Sequence, residues 1–172
     1  RWAAIGLLIV STVSMRGEVF WDPGSLDRGV LIYARQFESR PGLRLSEHYA
    51  ETDVVYFEEG KNANISVRRG ANYVGLRTNG KVDASNGDDM TTQLLIGYLP
   101  RFHHPSPEQI LVIGYGGGVT TGVAAVFPET VRVDCVEIEP AVLGAAPWFD
   151  AMNRRSYDDP KVNIIEGDAR NF

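Results

Sequence analysis

The residues with the clearest chemical potential are the glycines of the segment GYGGG, at positions 114–118, and an acid downstream, Glu137. Glycine can adopt positive φ and lets the backbone approach a ligand closely, and a helix beginning at Val119 would direct its free N–H groups at that ligand. Glu137 lies 23 residues after Gly114. In nucleoside-binding units, an acid about 20 residues past the first glycine accepts hydrogen bonds from ribose hydroxyls. The spacing therefore predicts a nucleoside site in which Glu137 binds ribose.

The glycine turn has two other interpretations. A tight strand-to-helix turn without a ligand also uses glycine, but the spaced acid, the strand before the turn and the helix after it favour a site. A dinucleotide site would need the last glycine of the pattern G-x-G-x-x-G, and Val119 occupies that place. NAD is therefore the weaker choice of ligand.

The elements around the turn predict one βαβ unit followed by a third strand. Residues 110–113 form an unbroken β-rich apolar run, which is typical of a strand covered by helices on both faces of a parallel sheet. The predicted elements are strands at 110–113, 131–138 and 162–165, a helix at 119–126 ended by Pro128, and a helix at 141–152 interrupted by Pro147.

A second acid, Asp168, follows the third predicted strand. Ligands of open α/β sheets bind outside the carboxyl ends of the strands, so Glu137 and Asp168 are expected to face one crevice. Asp168 would lie near the base of the nucleoside and accept from its exocyclic amine. The alternative is a loop carboxylate that caps the next helix.

Upstream of this unit the sequence predicts a small antiparallel β-meander. Turn residues at 60–62 and 70–72 separate three β-rich runs, and Asn79-Gly80 closes the meander. The runs lie at 54–58, 63–69 and 73–78.

A helix is predicted between the meander and the βαβ unit. Asp88 and Asp89 can cap its first turn, and Pro100 is expected to end it after Leu99. Its predicted inner face consists of Met90, Leu94, Leu95 and Tyr98.

The composition indicates a globular chain of one medium domain or two small ones. The 172 residues are 44% hydrophobic, and the net charge of −5 argues against nucleic acid as a partner, since phosphate binding needs a concentrated basic surface. Cys135 is the single cysteine, which excludes an internal disulfide and indicates an inert core thiol in a reducing compartment. His103 and His104 lack partners at ligand spacing, so no metal site is predicted.

The first 51 residues are predicted to be an apolar stretch followed by a connector. Residues 2–13 are apolar, but about 12 residues are too few to cross a bilayer, which needs about 20. They are either the tail of a longer membrane helix cut at Arg1 or a packed element of a soluble fold. Residues 16–46 are rich in glycine and proline and predict mostly loop, with one short apolar piece at 30–33.

The predicted fold class is α/β, and the chain is interpreted as a fragment. It opens on Arg1 instead of Met and stops at Phe172, directly after a site-like motif, and three strands of an open sheet leave an exposed edge. The predicted parts are the N-terminal stretch 1–51, a β-meander domain 52–87 and an incomplete nucleoside-binding domain 88–172.

Over residues 50–172 these motifs resemble the spermidine synthase family, the polyamine aminopropyltransferases, and most closely its bacterial members fused behind transporter-like membrane helices. The shared motifs are a meander ending in NGKV, an acidic helix start followed by a glutamine, VIGYGGG, VEIEP, and DPKV ahead of GDAR. The resemblance implies a small β-domain and a Rossmann-like, methyltransferase-type parallel sheet.

The resemblance also implies a ligand and partners. It implies transfer of an aminopropyl group from decarboxylated S-adenosylmethionine to a diamine or polyamine, with methylthioadenosine as product and no metal. It further implies a homodimer in the cytoplasm or at the cytoplasmic face of a membrane, attached through sequence before Arg1.

Roles for individual residues follow from the same resemblance. The catalytic aspartate, which takes the amine proton, is expected beyond Phe172. The positions assigned to the donor are Gly114, Tyr115, Gly116, Gly117 and Gly118 in the turn, Glu137 at the ribose with Ile138 beside it in sequence, and Asp168 and Ala169 at the adenine. Gln93 and Asp89 are assigned to the acceptor substrate.

The sequence departs from the family at Gly117, where polyamine-making members usually have an aspartate that engages the aminopropyl ammonium. Thr92 and Leu94 likewise replace a tyrosine and a glutamate beside Gln93. Two alternatives to aminopropyl transfer therefore stay open. One is an S-adenosylmethionine-dependent methyltransferase, and the other is a non-catalytic nucleoside-binding domain of a membrane protein.

Overall fold

The computed structural model describes residues 23–39, 42 and 49–172. The apolar stretch predicted at 2–13 lies outside these residues. No helix in the described part of the chain is long and apolar enough to cross a membrane.

The predicted meander is confirmed and contains one strand more than the sequence indicates. Its four antiparallel strands pair in chain order. Asn79 and Gly80 have φ of 48° and 82°, so they form a tight hairpin that continues into a further strand instead of ending the sheet. The strands are β1 (Asp53–Glu59), β2 (Asn64–Arg69), β3 (Val74–Thr78) and β4 (Lys81–Ser85).

The two central strands of the meander, β2 and β3, are buried on both faces, as the residues of β2 illustrate. Ile65 and Val67 are fully buried and share one apolar core with Val142 and Phe149 of the second half of the chain. Their neighbours Ser66 and Arg68 are also buried, on the opposite face.

Two short helices before the meander correct the prediction of loop over residues 16–46. They are α1 (Pro23–Leu26) and α2 (Val30–Glu38). Asp27 between them is buried, accepts from the Ser66 hydroxyl and pairs with Arg68, so a polar contact holds this segment on the sheet. Leu31 is 93% exposed. The bonds of Asp27 to Ser66 and Arg68 span 39 and 41 positions of the sequence, so no local pattern indicates them.

The third helix, α3 (Met90–His103), differs from its prediction in three ways. Asp89 lies at the N-cap position, but its side chain makes no capping hydrogen bond and instead accepts the Ser85 N–H. Leu95 and Tyr98 are 46% and 36% exposed, so these two residues of the predicted inner face are not buried. Pro100 lies inside the helix, because the last turn is closed by the His104 N–H on the Pro100 carbonyl and held by Arg101, which pairs with Glu129 at 2.8 Å.

The parallel sheet is confirmed. Its strands are ordered β5-β6-β7 and pair in parallel. Cys135 is buried in it, and burial raises the pKa of its thiol, as expected of an inert core residue. The elements are β5 (Gln109–Ile113), α4 (Val119–Val126), β6 (Arg132–Glu137), α5 (Pro140–Ala145), a 3-10 turn (Ala146–Phe149), α6 (Asp150–Asn153), a 3-10 turn (Ser156–Asp158), β7 (Val162–Glu166) and a 3-10 turn (Ala169–Asn171).

Candidate functional site

The glycine turn between β5 and α4 has the conformation that its sequence predicts. Gly114, Gly116 and Gly118 have φ of 84°, 55° and 78°. A side chain at Gly114 would meet no other atom within 4 Å, so the turn is open on that side. The turn therefore leaves its backbone accessible to a ligand in front of α4.

Tyr115 supports this turn from within the protein. It is 3% exposed, and its hydroxyl lies 2.9 Å from the Ser156 hydroxyl. Its ring occupies the space where Gly118 would carry a Cβ, and burial raises the pKa of Tyr115 to about 12. Any contact of Tyr115 with a nucleoside is thus left to its backbone, while its side chain fixes the shape of the turn.

Glu137, at the end of β6, is 6% exposed and points at the glycine turn. Its Oε2 accepts the Tyr115 N–H at 2.7 Å, and its Oε1 accepts the Glu139 N–H at 2.9 Å. A carboxylate offers about four acceptor sites, so each oxygen keeps a lone pair for a further donor. The two backbone bonds therefore fix the carboxylate in place without exhausting it.

Glu137 and Asp168 line one cavity of about 400 Å³, as the strand-end argument predicts. We call it the nucleoside cavity, after the ligand that the sequence predicts there. Ala169 and Ile138, which the resemblance assigns to the donor, also line this cavity. The lining residues are Ile113, Gly114, Val136, Glu137, Ile138, Gly167, Asp168, Ala169 and Arg170.

Asp168 caps the short 3-10 turn that follows it, which is the alternative that the sequence left open. It accepts the Arg170 N–H at 2.9 Å and pairs with the Arg170 side chain. The hydrogen bonds from the Arg170 side chain lower the pKa of Asp168 to about 2. Capping and base recognition are compatible, because Asp168 stays ionised and still lines the cavity.

A second cavity, of about 580 Å³, lies between α3, the end of β4 and β5. We call it the acceptor cavity, because Gln93, which the resemblance assigns to the acceptor, lines it. The Gln93 amide group donates to the Ser85 carbonyl at 2.9 Å and to the Asp89 carboxylate at 2.8 Å. The Gln93 Oε1 lies 3.5 Å from the position that a Cβ would take at Gly117. Asp89 therefore orients Gln93, and Gln93 presents an oxygen to the glycine turn.

Gly114 and Ile113 line both cavities. The glycine turn thus lies between the nucleoside cavity, which contains Glu137, and the acceptor cavity, which contains Gln93. Unlike Gly114, Gly116 and Gly118, Gly117 does not have positive φ. An added Cβ would lie 3.3 Å from both Ala84 and Phe149, so these neighbours would have to move by a few tenths of an ångström to admit it.

Sequence reasoning missed three residues that organise the site, Ser85, Ser156 and Arg170. Ser85 belongs to the strand after Asn79-Gly80, and that hairpin signal could have revealed it. Ser156 meets Tyr115 across 41 positions of the sequence, which no local pattern indicates.

Among the described residues, no group of histidines, cysteines or acids could hold a metal ion.

We expect Gly116→Val to lower the affinity for methylthioadenosine about tenfold or more. Gly116 has φ of 55°, a conformation that costs an L-residue roughly 1–2 kcal/mol and a β-branched one more. Valine should therefore shift the free turn to another backbone conformation, and restoring the binding conformation at this cost corresponds to about a tenfold loss of affinity. Calorimetry measures the affinity, and circular dichroism checks that the meander stays folded. Gly117→Ala is the control, because Gly117 lacks positive φ. Normal binding by Gly116→Val would show that the turn is only structural.

Comparison with known proteins identifies homologues. No protein-family model matches the chain. Over 97 residues, 56% of this chain, it is 33% identical to a spermidine synthase from Dictyostelium discoideum, of which it covers 34%. Over 87 residues, 51% of this chain, it is 30% identical to putrescine N-methyltransferase 2 from Nicotiana attenuata, of which it covers 23%. The chain thus spans about a third or less of the length of these curated relatives.

The structural comparison confirms the fold class. A solved spermidine synthase in complex with the transition state analogue AdoDATO superposes with a TM-score of 0.61 and 21% identity, over 67% of this chain and 41% of that one. The chain therefore has homology to spermidine synthases over about half of its length and shares their fold, an antiparallel sheet followed by a methyltransferase-like parallel sheet. The fusion to transporter-like segments and the fragment interpretation stay predictions.

Proposed function

We propose that this chain forms the donor-binding part of an aminopropyltransferase that binds decarboxylated S-adenosylmethionine and alkylates a polyamine. The observation that carries the proposal is the glycine turn shared by two cavities, with Glu137 on one side and Gln93 on the other. A nucleoside with a reactive sulfonium arm fits this arrangement, because the nucleoside can occupy one cavity while its arm reaches past the turn into the other. The homology to spermidine synthases supports the same activity.

In the nucleoside cavity, two carboxylates would recognise opposite ends of the nucleoside. Glu137 is held by two backbone N–H groups and keeps lone pairs for the two ribose hydroxyls. Asp168 is kept ionised by Arg170 and can accept from the exocyclic amine of adenine. The backbone of the turn, at Gly114 and Gly116, allows the donor to approach α4 closely.

The chemistry requires a neutral amine beside the methylene carbon next to the sulfonium. The amine nitrogen forms the new C–N bond, the C–S bond breaks with its electron pair going to sulfur, and a base takes the proton of the resulting ammonium. Gln93 is placed to position the acceptor, since its Oε1 faces the turn and Asp89 fixes its amide group. The base stays the aspartate that the resemblance predicts beyond Phe172.

A second candidate function is N-methylation of an amine with ordinary S-adenosylmethionine. Gly117 favours it, because the turn lacks the carboxylate that would attract the ammonium of the decarboxylated donor. The similarity to a putrescine N-methyltransferase also supports methylation, although this match covers 87 residues and the match to the spermidine synthase covers 97. The acceptor is an amine in both reactions. We also propose that the protein is a homodimer and lies at the cytoplasmic face of a membrane.

The products distinguish these functions. The full-length protein, which includes the expected catalytic aspartate, is purified and incubated with putrescine and either donor, and the nucleoside product is identified by chromatography. Methylthioadenosine formed from the decarboxylated donor supports aminopropyl transfer, and S-adenosylhomocysteine formed from S-adenosylmethionine supports methyl transfer. Binding of both donors without either product would support the non-catalytic nucleoside-binding domain.

A further inference from the structure

Glu139 is a buried acid between the two sheets, two residues after Glu137. It is 4% exposed, and none of the ion pairs among the described residues includes it. Burial alone would raise the pKa of Glu139, but hydrogen bonds from backbone N–H groups lower it below its ordinary value. The donors are the N–H groups of Lys61 (3.1 Å), Asn62 (2.5 Å), Ala63 (3.2 Å) and Ala141 (3.3 Å).

The β1–β2 hairpin of the meander is shaped around this carboxylate. Three of the four donors belong to its turn, and a side chain at Gly60 would overlap the Glu139 Oε1. The Asn62 side chain adds a hydrogen bond to the Ile138 carbonyl at 2.9 Å. The hairpin therefore binds the peptide segment that directly follows Glu137.

The same segment holds the Glu137 carboxylate. The Glu139 N–H donates to the Glu137 Oε1 at 2.9 Å, and the Glu137 Oε2 accepts the Tyr115 N–H at 2.7 Å. A continuous path of hydrogen bonds thus runs from the hairpin, through the Glu139 backbone and the Glu137 carboxylate, to the glycine turn.

We propose that Glu139 is a positioning residue through which the β1–β2 hairpin sets the orientation of Glu137 in the nucleoside cavity. The proposal rests on the proposed function, and it adds a role for the meander in donor binding. A displaced Glu139 would shift its own N–H and the Ile138 carbonyl, and with them the carboxylate of Glu137. Docking of the hairpin and binding of the nucleoside are then coupled in both directions.

Glu139→Gln tests this role. The new NH₂ group replaces one acceptor oxygen and faces N–H donors, so the hairpin should detach from Ile138 and Glu139. We expect the affinity for methylthioadenosine, measured by calorimetry on folded protein, to fall about tenfold, the scale of one lost charge-assisted hydrogen bond. The matched control is Asp134→Asn, an acid-to-amide change on β6, the strand that precedes Glu139; its carboxylate accepts from Arg132 and Asn163 and lines neither cavity. The control should bind as the wild type does.

A second measurement needs no ligand and separates this proposal from the proposed function. Hydrogen exchange of the Tyr115 amide, which donates to Glu137, should become faster in Glu139→Gln and unchanged in Asp134→Asn. If the wild type binds no methylthioadenosine, the proposed function fails, and the Tyr115 amide still decides the positioning role.

Asn62→Ala provides a milder variant in case Glu139→Gln does not fold. It removes only the hydrogen bond to the Ile138 carbonyl and should accelerate Tyr115 exchange in the same direction by a smaller factor. A purely structural Glu139 would lower the thermal midpoint of its variants while affinity and Tyr115 exchange stay at wild-type values. That result would overturn the proposal.

Discussion

Glu137→Ala should lower the affinity for methylthioadenosine by about thirtyfold or more. The variant loses the acceptor of both ribose hydroxyls, and hydrogen bonds to a charged group contribute about 1.5–3 kcal/mol, so a loss of about 2 kcal/mol corresponds to this factor. It also leaves the Tyr115 N–H without the acceptor that it has at 2.7 Å, which loosens the glycine turn. Titration calorimetry on the wild type and the variant measures the difference.

Two controls make the result specific to ribose recognition. Glu137→Gln keeps one acceptor oxygen and should lie between the wild type and Glu137→Ala. Asp134→Asn changes an acid on the same strand that lines neither cavity and should leave the affinity unchanged. Equal affinities for the wild type and Glu137→Ala would remove Glu137 from the site.

Gly117→Asp should shift the preference for decarboxylated over ordinary S-adenosylmethionine by one to two orders of magnitude. The added carboxylate attracts the aminopropyl ammonium and repels the carboxylate of S-adenosylmethionine, and a charge-assisted partner contributes roughly 1.5–3 kcal/mol. Gly117 lacks positive φ, and its Cβ would lie 3.3 Å from Ala84 and Phe149, so these two side chains must move by a few tenths of an ångström. The wild type should show only a weak preference.

The ratio of the two donor affinities is the quantity to measure. Gly117→Ala is the matched control, since it introduces the same Cβ without the charge and should leave the ratio as in the wild type. An unchanged ratio in Gly117→Asp, with both donors still bound, would mean that the turn does not meet the aminopropyl end of the donor.

Local signals were sufficient to predict much of this molecule. The glycine turn, the helix Val119–Val126 and the spacing to Glu137 all lie within one βαβ unit, where each element is recognised from adjacent residues. Glu137 and Asp168 could be placed at one crevice because the carboxyl ends of neighbouring parallel strands meet at the same sheet edge. The structure puts both at one cavity.

The remaining features depend on contacts between distant positions. Glu139 meets Asn62 across 77 positions, and Asp27 meets Arg68 across 41, so neither pairing leaves a periodic pattern. Asp89 was expected to cap α3 because acids favour that position, but the Gln93 amide and Ser85 compete for its carboxylate. Tertiary hydrogen bonds outweigh local preference at these residues.

The most direct test of the nucleoside cavity is an amide NMR titration of the isotope-labelled protein with methylthioadenosine. We expect saturable shifts at the glycine turn, at Glu137 and Ile138, and at the end of β7, with the start of β1 near Asp53 unaffected. The amides expected to shift are those of Gly114, Tyr115, Gly116, Gly118, Glu137, Ile138, Asp168 and Ala169. Saturable shifts confined to other parts of the chain, or no shifts at concentrations that saturate a known methylthioadenosine-binding protein, would contradict a nucleoside site at this cavity.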